Sequence, residues 1–172
     1  MRVLGVDPGT IVAGYGVVES INANQKMVTY GVIKASPKLP PAERLSILYK
    51  GLSKILKQYK PDVVAVEQPF VGVNISSALA IGRAQAMAML VAANNDIPVF
   101  EYSPATVKQR VASYGASSKE QIQQMVRLLL NLPEIPEPSD AADALAVALC
   151  HLSESHVNNL LNEKPVKKRR TR

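Results

Sequence analysis

Val3-Leu4-Gly5-Val6-Asp7-Pro8-Gly9-Thr10 is a short apolar run that ends in a carboxylate and is closed by a proline and a glycine. A run of that length with turn residues behind it reads as a buried strand entering a tight turn. The same shape returns at Val63-Val64-Ala65-Val66-Glu67, just after Pro61. Strands apolar on both faces are covered on both faces, the habit of parallel pairs in α/β proteins. If the two strands pair in parallel, Asp7 and Glu67 lie side by side at one edge of a sheet. A carboxylate there costs desolvation energy unless a cation or hydrogen-bond donors neutralise it. Singly, Asp7 reads equally well as a turn residue ahead of Pro8-Gly9, and Glu67 as a strand-end acid reaching water. The repetition sets them apart.

Outward from these two strands, Gly14-Tyr15-Gly16-Val17-Val18 and Met27 to Ala35, separated by the polar Asn22-Ala23-Asn24-Gln25, predict the second and third strands of a meander. Pro40 and Pro41 punctuate its end. From Ala42 to Tyr59, Leu45, Leu48, Leu52, Ile55 and Leu56 recur at helical spacing with Lys50, Lys54 and Lys57 on the other side, the pattern of an amphipathic surface helix. Ser76 to Ala93 is rich in Ala and Met and apolar nearly all round, which predicts a helix buried on most of its surface. Its Gly82 and Ala86 are small enough to admit another backbone. Pro98-Val99-Phe100-Glu101-Tyr102 predicts a fifth strand, followed by helices from Pro104 to Ser113 and from Ser118 to Leu130. The proline-rich connection Leu132 to Pro138 leads to a last helix, Ser139 to about Leu152. The expectation is an α/β domain: a mixed five-stranded sheet with helices on both faces, in the order of the ribonuclease H-like fold.

The bulk properties agree with one globular domain: 172 residues, 47% hydrophobic and 20% charged. The expected division is a domain over residues 1–155 and a basic tail over 156–172. Cys150 stands alone and the N-terminus carries too short an apolar stretch for a signal-peptide core, so a soluble protein of the reducing cytoplasm is expected. The longest continuous apolar run, Ala86 to Ala93, is far below the roughly 20 residues of a membrane span. The net charge of +6 is all tail: Lys164, Lys167, Lys168, Arg169, Arg170 and Arg172 fall within the last nine positions. That tail reads either as a solvated end or as a non-specific phosphate contact. Charge alone therefore does not make the folded body a nucleic-acid binder.

Two further acids complete a set. Asp140 and Asp143 are three residues apart at the start of the last helix and so share a face. Acids in a first turn also favour the helix dipole, and Asp140 reads as an N-cap as readily as a ligand. Asp143, however, sits among Ala141, Ala142, Ala144 and Ala146 and shares its face with Val147 and Cys150, which points inward. Such a helix packed on the sheet brings both carboxylates to the strand ends. Oxygen ligands without His or Cys suit Mg²⁺ or Mn²⁺ rather than zinc. Two such ions about 3.5 to 4 Å apart support in-line phosphodiester cleavage.

Asp7-Pro8-Gly9-Thr10, Val66-Glu67-Gln68 with Asn74 and Ser77-Ala78-Leu79 after it, Pro98 to Tyr102, Val107-Lys108-Gln109 and Ser139 to Ala146 resemble, in order and spacing, the RuvC-type Holliday junction resolvases. The resemblance runs from Val3 to about His151. It implies a crossover junction endodeoxyribonuclease of DNA recombination and repair, a homodimer that makes paired symmetrical nicks in a four-way junction. It also implies metal-binding and catalytic roles for Asp7, Glu67, Asp140 and Asp143, with two Mg²⁺ per site. Lys108 and Lys119 would lie by the DNA, with Arg83 in a shifted basic position, and Phe70 would stack on bases. The branch-migration proteins RuvA and RuvB would be partners. A dimer also suits the extra apolar face of the helix from Ser76 to Ala93.

The chain departs from the family pattern at Pro69, where an aliphatic residue is common, and at Val73, where a basic one is. The usual Gln-Ala-Arg is reversed as Arg83-Ala84-Gln85. These changes bear on substrate geometry rather than on the carboxylates. Three rival readings remain. An Asp-x-Gly-Thr loop also opens the phosphate-binding loop of actin-like and sugar-kinase ATPases, which need two such domains and give Asp140 and Asp143 no role. A non-catalytic DNA-binding module would keep its function without Asp7. Another ribonuclease H-like nuclease would share the carboxylates but not the ordered set.

Overall fold

The computed structural model describes residues 1–22, 24–69, 75–112 and 117–162. Expectations resting on Phe70, Val73, Asn74, Ser113 and the basic residues after 162 lie outside the described residues. The elements are β1 (Arg2–Asp7), β2 (Val12–Ile21), β3 (Asn24–Lys34), α1 (Pro41–Tyr59), β4 (Val63–Glu67), α2 (Ile75–Ala93), β5 (Val99–Tyr102), α3 (Pro104–Ala112), α4 (Lys119–Leu129) and α5 (Ser139–Asn162). They form one five-stranded sheet in the order β3-β2-β1-β4-β5. β1 pairs antiparallel with β2 and parallel with β4, and β4 runs parallel to β5. The expected mixed sheet is found.

Strand parity divides the core into two layers. Val3 and Ala65 point towards α3, α4 and α5, where they pack with Leu145, Val147, Leu149 and Val126. Leu4, Val6, Val64 and Val66 point the other way, onto Leu48, Leu52, Ile55 and Leu56 of α1 and Ala84, Ala88 and Val91 of α2. Alternation along β1 therefore turns Asp7 to the α5 side with Val3 and Gly5, and alternation along β4 does the same for Glu67.

α5 lies against the strands because glycines let it. A Cβ on Gly5 would overlap the carbonyl oxygen of Ala144, and one on Gly14 would overlap the carbonyl oxygen of Asp140. Gly5 is paired with Gly16 and Asp7 with Gly14 across β1 and β2. The glycines so placed set the first turn of α5 directly over the end of β1.

Three elements differ from their sequence reading. β3 begins at Asn24, two positions after Asn22, which has φ 51°. Asn tolerates that left-handed conformation, which makes so short a connection possible. α5 runs on to Asn162 instead of ending near Leu152, past polar residues that the structure uses. Arg110 of α3 pairs with Glu154, and Ser155 Oγ lies 3.1 Å from Nε2 of His151. The third correction concerns α2. It is buried through Ala78, Ala84, Gln85, Ala88, Val91 and Ala92, while Ile75, Leu79 and Leu90 are exposed, so most of its surface is not covered within one chain. By length and composition it is also the one described helix apolar enough to cross a membrane, at mean hydropathy 1.4. Its contact with the sheet makes it a surface helix with an uncovered apolar side.

Candidate active site

The register that pairs Gly5 with Ala65 and Val6 with Val66 brings the ends of β1 and β4 together, with Asp7 on one and Glu67 on the other. Their side chains are hydrogen-bonded, and burial followed by the Glu67, Asp143 and Asp140 charges pushes Asp7 up to about 8. Glu67 is raised by burial and by Asp143, and partly relieved by Asp7, Lys119 and Lys108. Asp143 is raised by burial, against the hydrogen bond and charge of Lys119. Desolvation favours the neutral acid, and like charges add to the effect. All four acids are half-buried and close enough that Asp7 responds to the other three.

Lys119 enters this group from α4. Its Nζ is 2.7 Å from Asp143 Oδ2, and that bond raises the ammonium further above its ordinary value. The lysine is fixed by where α4 starts. Ser118 Oγ accepts from the Gln121 backbone N–H while the Gln121 side chain accepts from the Ser118 N–H, a reciprocal capping box. Lys119 is thus a partner of the carboxylates, a pairing that its sequence neighbours could not reveal.

Glu67, Asp143, Lys108 and Lys119 line a cavity of about 200 Å³ whose apolar wall includes Pro104, Val107, Ile122 and Ala146. Larger grooves elsewhere contain none of these acids. Arg83 is exposed on α2, whereas Gln85 is buried and donates to Glu101 Oε2 at 2.7 Å. Residues two apart on a helix point in nearly opposite directions. The reversal of Arg and Gln therefore places an amide, not a guanidinium, against β5.

Sequence reasoning missed the link between β5 and α5. Tyr102 lies opposite Glu67 in register, its carbonyl accepts from the Gln68 N–H at 2.8 Å, and its hydroxyl is 2.8 Å from Nδ1 of His151. Burial lowers the His151 pKa, so the ring favours its neutral form. One tyrosine thus connects the strand end bearing Glu67 to the helix bearing Asp140 and Asp143. The only sequence signal was a histidine on an otherwise apolar helix face.

Among the described residues, no three of His, Cys, Asp and Glu form a ready-made metal cage. The donor chemistry nevertheless fits a hard divalent cation. The cluster is all oxygen, and three of its members are raised by burial and by one another, a penalty that a cation at the cluster would relieve.

Comparison with known proteins decides the family. Residues 3–151 match the family model described as crossover junction endodeoxyribonuclease RuvC. The chain belongs to the RuvC family. The RuvC protein of Dehalococcoides mccartyi is 55% identical over 163 residues, covering 95% of this chain and 98% of that protein. RuvC of Desulforamulus reducens is 53% identical over 151 residues, 88% of this chain and 93% of the other. The solved structure of T. thermophilus RuvC in complex with Holliday junction substrate superposes with a TM-score of 0.86 at 35% identity, over 92% of this chain and 96% of that one. As a RuvC family member this chain is an endodeoxyribonuclease, a hydrolase of phosphodiester bonds, and its ribonuclease H-like fold is that of the family.

Proposed function

We propose that the chain resolves four-way DNA junctions by paired, symmetrical nicks, with Asp7, Glu67, Asp140 and Asp143 as its catalytic and metal-binding residues. The observation that carries this is the convergence of four carboxylates from β1, β4 and α5 beside a lysine, in a chain whose RuvC relative was solved with a Holliday junction. The four acids would hold two Mg²⁺ ions, with Mn²⁺ able to substitute. When bound, such a pair neutralises charge at the phosphate and lowers the pKa of an attacking water. The chain's own residues do the rest. Asp7 gives up the proton it shares with Glu67 as the site loads, and Lys119 and Lys108 bind phosphate oxygens in the adjoining cavity. The apolar wall there limits water around the reacting phosphate.

The stripe Ile75, Leu79, Gly82, Ala86 and Leu90 runs along one side of α2, its large members exposed and the space over Gly82 open. It supports a homodimer through α2, which would present two sites to the two strands of a junction. Phe70 and Arg83 are assigned to DNA, and RuvA and RuvB to the partners, by family resemblance. The basic end is assigned to a tail, and the cytoplasm, where chromosomal DNA lies, is the place of action.

The test is cleavage of an immobile four-way junction, a linear duplex and an RNA/DNA hybrid with Mg²⁺ or with EDTA, by wild type and Asp7→Asn. Metal-dependent paired nicks in the junction, lost in the variant while binding persists, are expected. Binding without cleavage would make the chain a non-catalytic module. Preference for the hybrid would move it to another branch of the fold.

A further inference from the structure

We infer that the groove between the C-terminal half of α1 and the turn that follows α2 is a second DNA contact, one that takes the phosphodiester backbone of a duplex. The groove, with a volume of about 790 Å³, is lined chiefly by Lys50, Lys54 and Lys57 on α1, with Tyr49 and Asn94 between them. Lys50, Lys54 and Lys57 are exposed, and none of them belongs to an ion pair or a hydrogen bond among the described residues. They lie four and three residues apart, about 6 and 4.5 Å along the helix axis, on one side of α1. Phosphates follow one another at a comparable spacing, about 3.4 Å of rise per strand. The neutral groups of the floor are held by bonds of their own: Ser53 Oγ donates to the Tyr49 carbonyl and Asn95 Nδ2 to the Val91 carbonyl. Tyr49 accepts from Asn94 Nδ2 at 3.1 Å, which leaves its own O–H free to donate outward. Carboxylates are absent from the lining.

This surface is separate from the carboxylate site. Arg44, in the first turn of α1, reaches Thr10 in the loop after Asp7, whereas Tyr59 at the other end meets Arg2 at the start of β1. Lys50 and Lys57 are therefore about 14 and 24 Å along α1 from its start at the active-site edge, at 1.5 Å per residue. The lining also distinguishes DNA from an acidic protein. Protein interfaces are built around apolar or aromatic anchors in well-packed pockets. Here the one aromatic group, Tyr49, is half-buried and already tied to Asn94. A set of flexible cations without an anchor suits a polyanion held by counterion release.

The inference rests on the proposed action on DNA, and one titration series separates the two. Binding of a junction and of a 20-base-pair duplex is measured in EDTA by fluorescence anisotropy across NaCl concentrations. The proteins are wild type, Lys50→Gln/Lys54→Gln/Lys57→Gln, and the corresponding triple Arg variant. The triple Gln variant is expected to lower the slope of log K against log [NaCl] by about 2 to 3, and the triple Arg variant to restore it. Single-turnover cleavage at saturating protein should be unchanged in the Gln variant, showing that its carboxylate site is intact. Failure of wild type to bind the junction would sink the functional reading itself. Normal wild-type binding with the same slope in the Gln variant would overturn the second contact alone and leave the groove to water or to an acidic protein.

Discussion

Nζ of Lys119 lies 2.7 Å from Oδ2 of Asp143, so the carboxylate group of three elements is completed by a cation from a fourth, α4. The lysine side chain is 54% exposed, which limits what the pair adds to stability to about 1 kcal/mol or less. In the proposed reaction its value would lie at the phosphate. A positioned cation next to developing charge contributes several kcal/mol to a transition state. Lys119→Met should lower single-turnover junction cleavage by at least about tenfold, while the thermal midpoint moves by no more than about 3 °C. Equal rates for the two proteins would reduce the lysine to a surface ion pair.

Asp7 makes the metal-free protein sensitive to pH in an unusual direction. Its folded pKa is raised from 3.8 to about 8, chiefly by burial and then by Glu67. Between those values the folded state holds a proton that the unfolded state has released. Stability from this group is complete at low pH and is lost as pH rises through about 8. In EDTA, the melting temperature should fall from pH 6 to pH 9, by an amount on the order of 1 to 3 kcal/mol in stability. Asp7→Asn should remove most of that slope and melt higher at pH 9. Adding Mg²⁺ should flatten the wild-type curve, because a cation replaces the proton. Identical pH slopes for the two proteins would mean that Asp7 is not a buried, repelled acid.

The two strand-end acids and the paired aspartates were legible because each follows a rule of period. Two continuously apolar strands ended in carboxylates, and residues 140 and 143 had to share a helical face. The sheet order followed from a meander succeeded by strand-helix alternation. What could not be read was distance between elements. Lys119 and Asp143 are 24 positions apart and meet only because Ser118 caps α4 where it does. Tyr102 and His151 likewise meet across the β5–α5 gap. α2 was read as buried because its composition is apolar all round, but composition cannot say whether the cover comes from the same chain. α5 outran its predicted end because Glu154 has a tertiary partner in Arg110 of α3 and Ser155 bonds back to His151 within the helix.

Gly14 also sets the carboxylates in place. A methyl group there would overlap the carbonyl oxygen of Asp140, so Gly14→Ala must push α5 away from β2 or strain the strand. Overpacking of this kind costs about 1 to 3 kcal/mol. The displaced backbone is that of Asp140 itself, so the variant should also need more Mg²⁺ for half-maximal cleavage, by about three- to tenfold. The control is Gly82→Ala, whose added Cβ meets nothing within 4 Å in the single chain. It should leave the Mg²⁺ requirement untouched. A Gly14→Ala enzyme with wild-type stability and metal response would show that α5 packs less closely than the structure has it.

The exposed side of α2 yields the last prediction. Ile75 is 67%, Leu79 59% and Leu90 45% exposed, in line with Gly82 and Ala86. An isolated domain gains nothing from such a stripe, whereas covering one large aliphatic side chain contributes about 1.5 to 3 kcal/mol. If the stripe joins two copies about a two-fold axis, each substitution is felt twice in the interface. Leu79→Glu would bury an unpaired carboxylate there but would face water in a monomer. The variant should sediment as a monomer at about 10 µM, where wild type is dimeric, and its melting curve at low concentration should match the wild-type monomer. Cleavage should change with it, from paired nicks made in one encounter to single, uncoordinated ones. A dimeric Leu79→Glu protein would place the interface elsewhere, and a monomeric one that still nicks in pairs would separate pairing of cuts from the α2 contact.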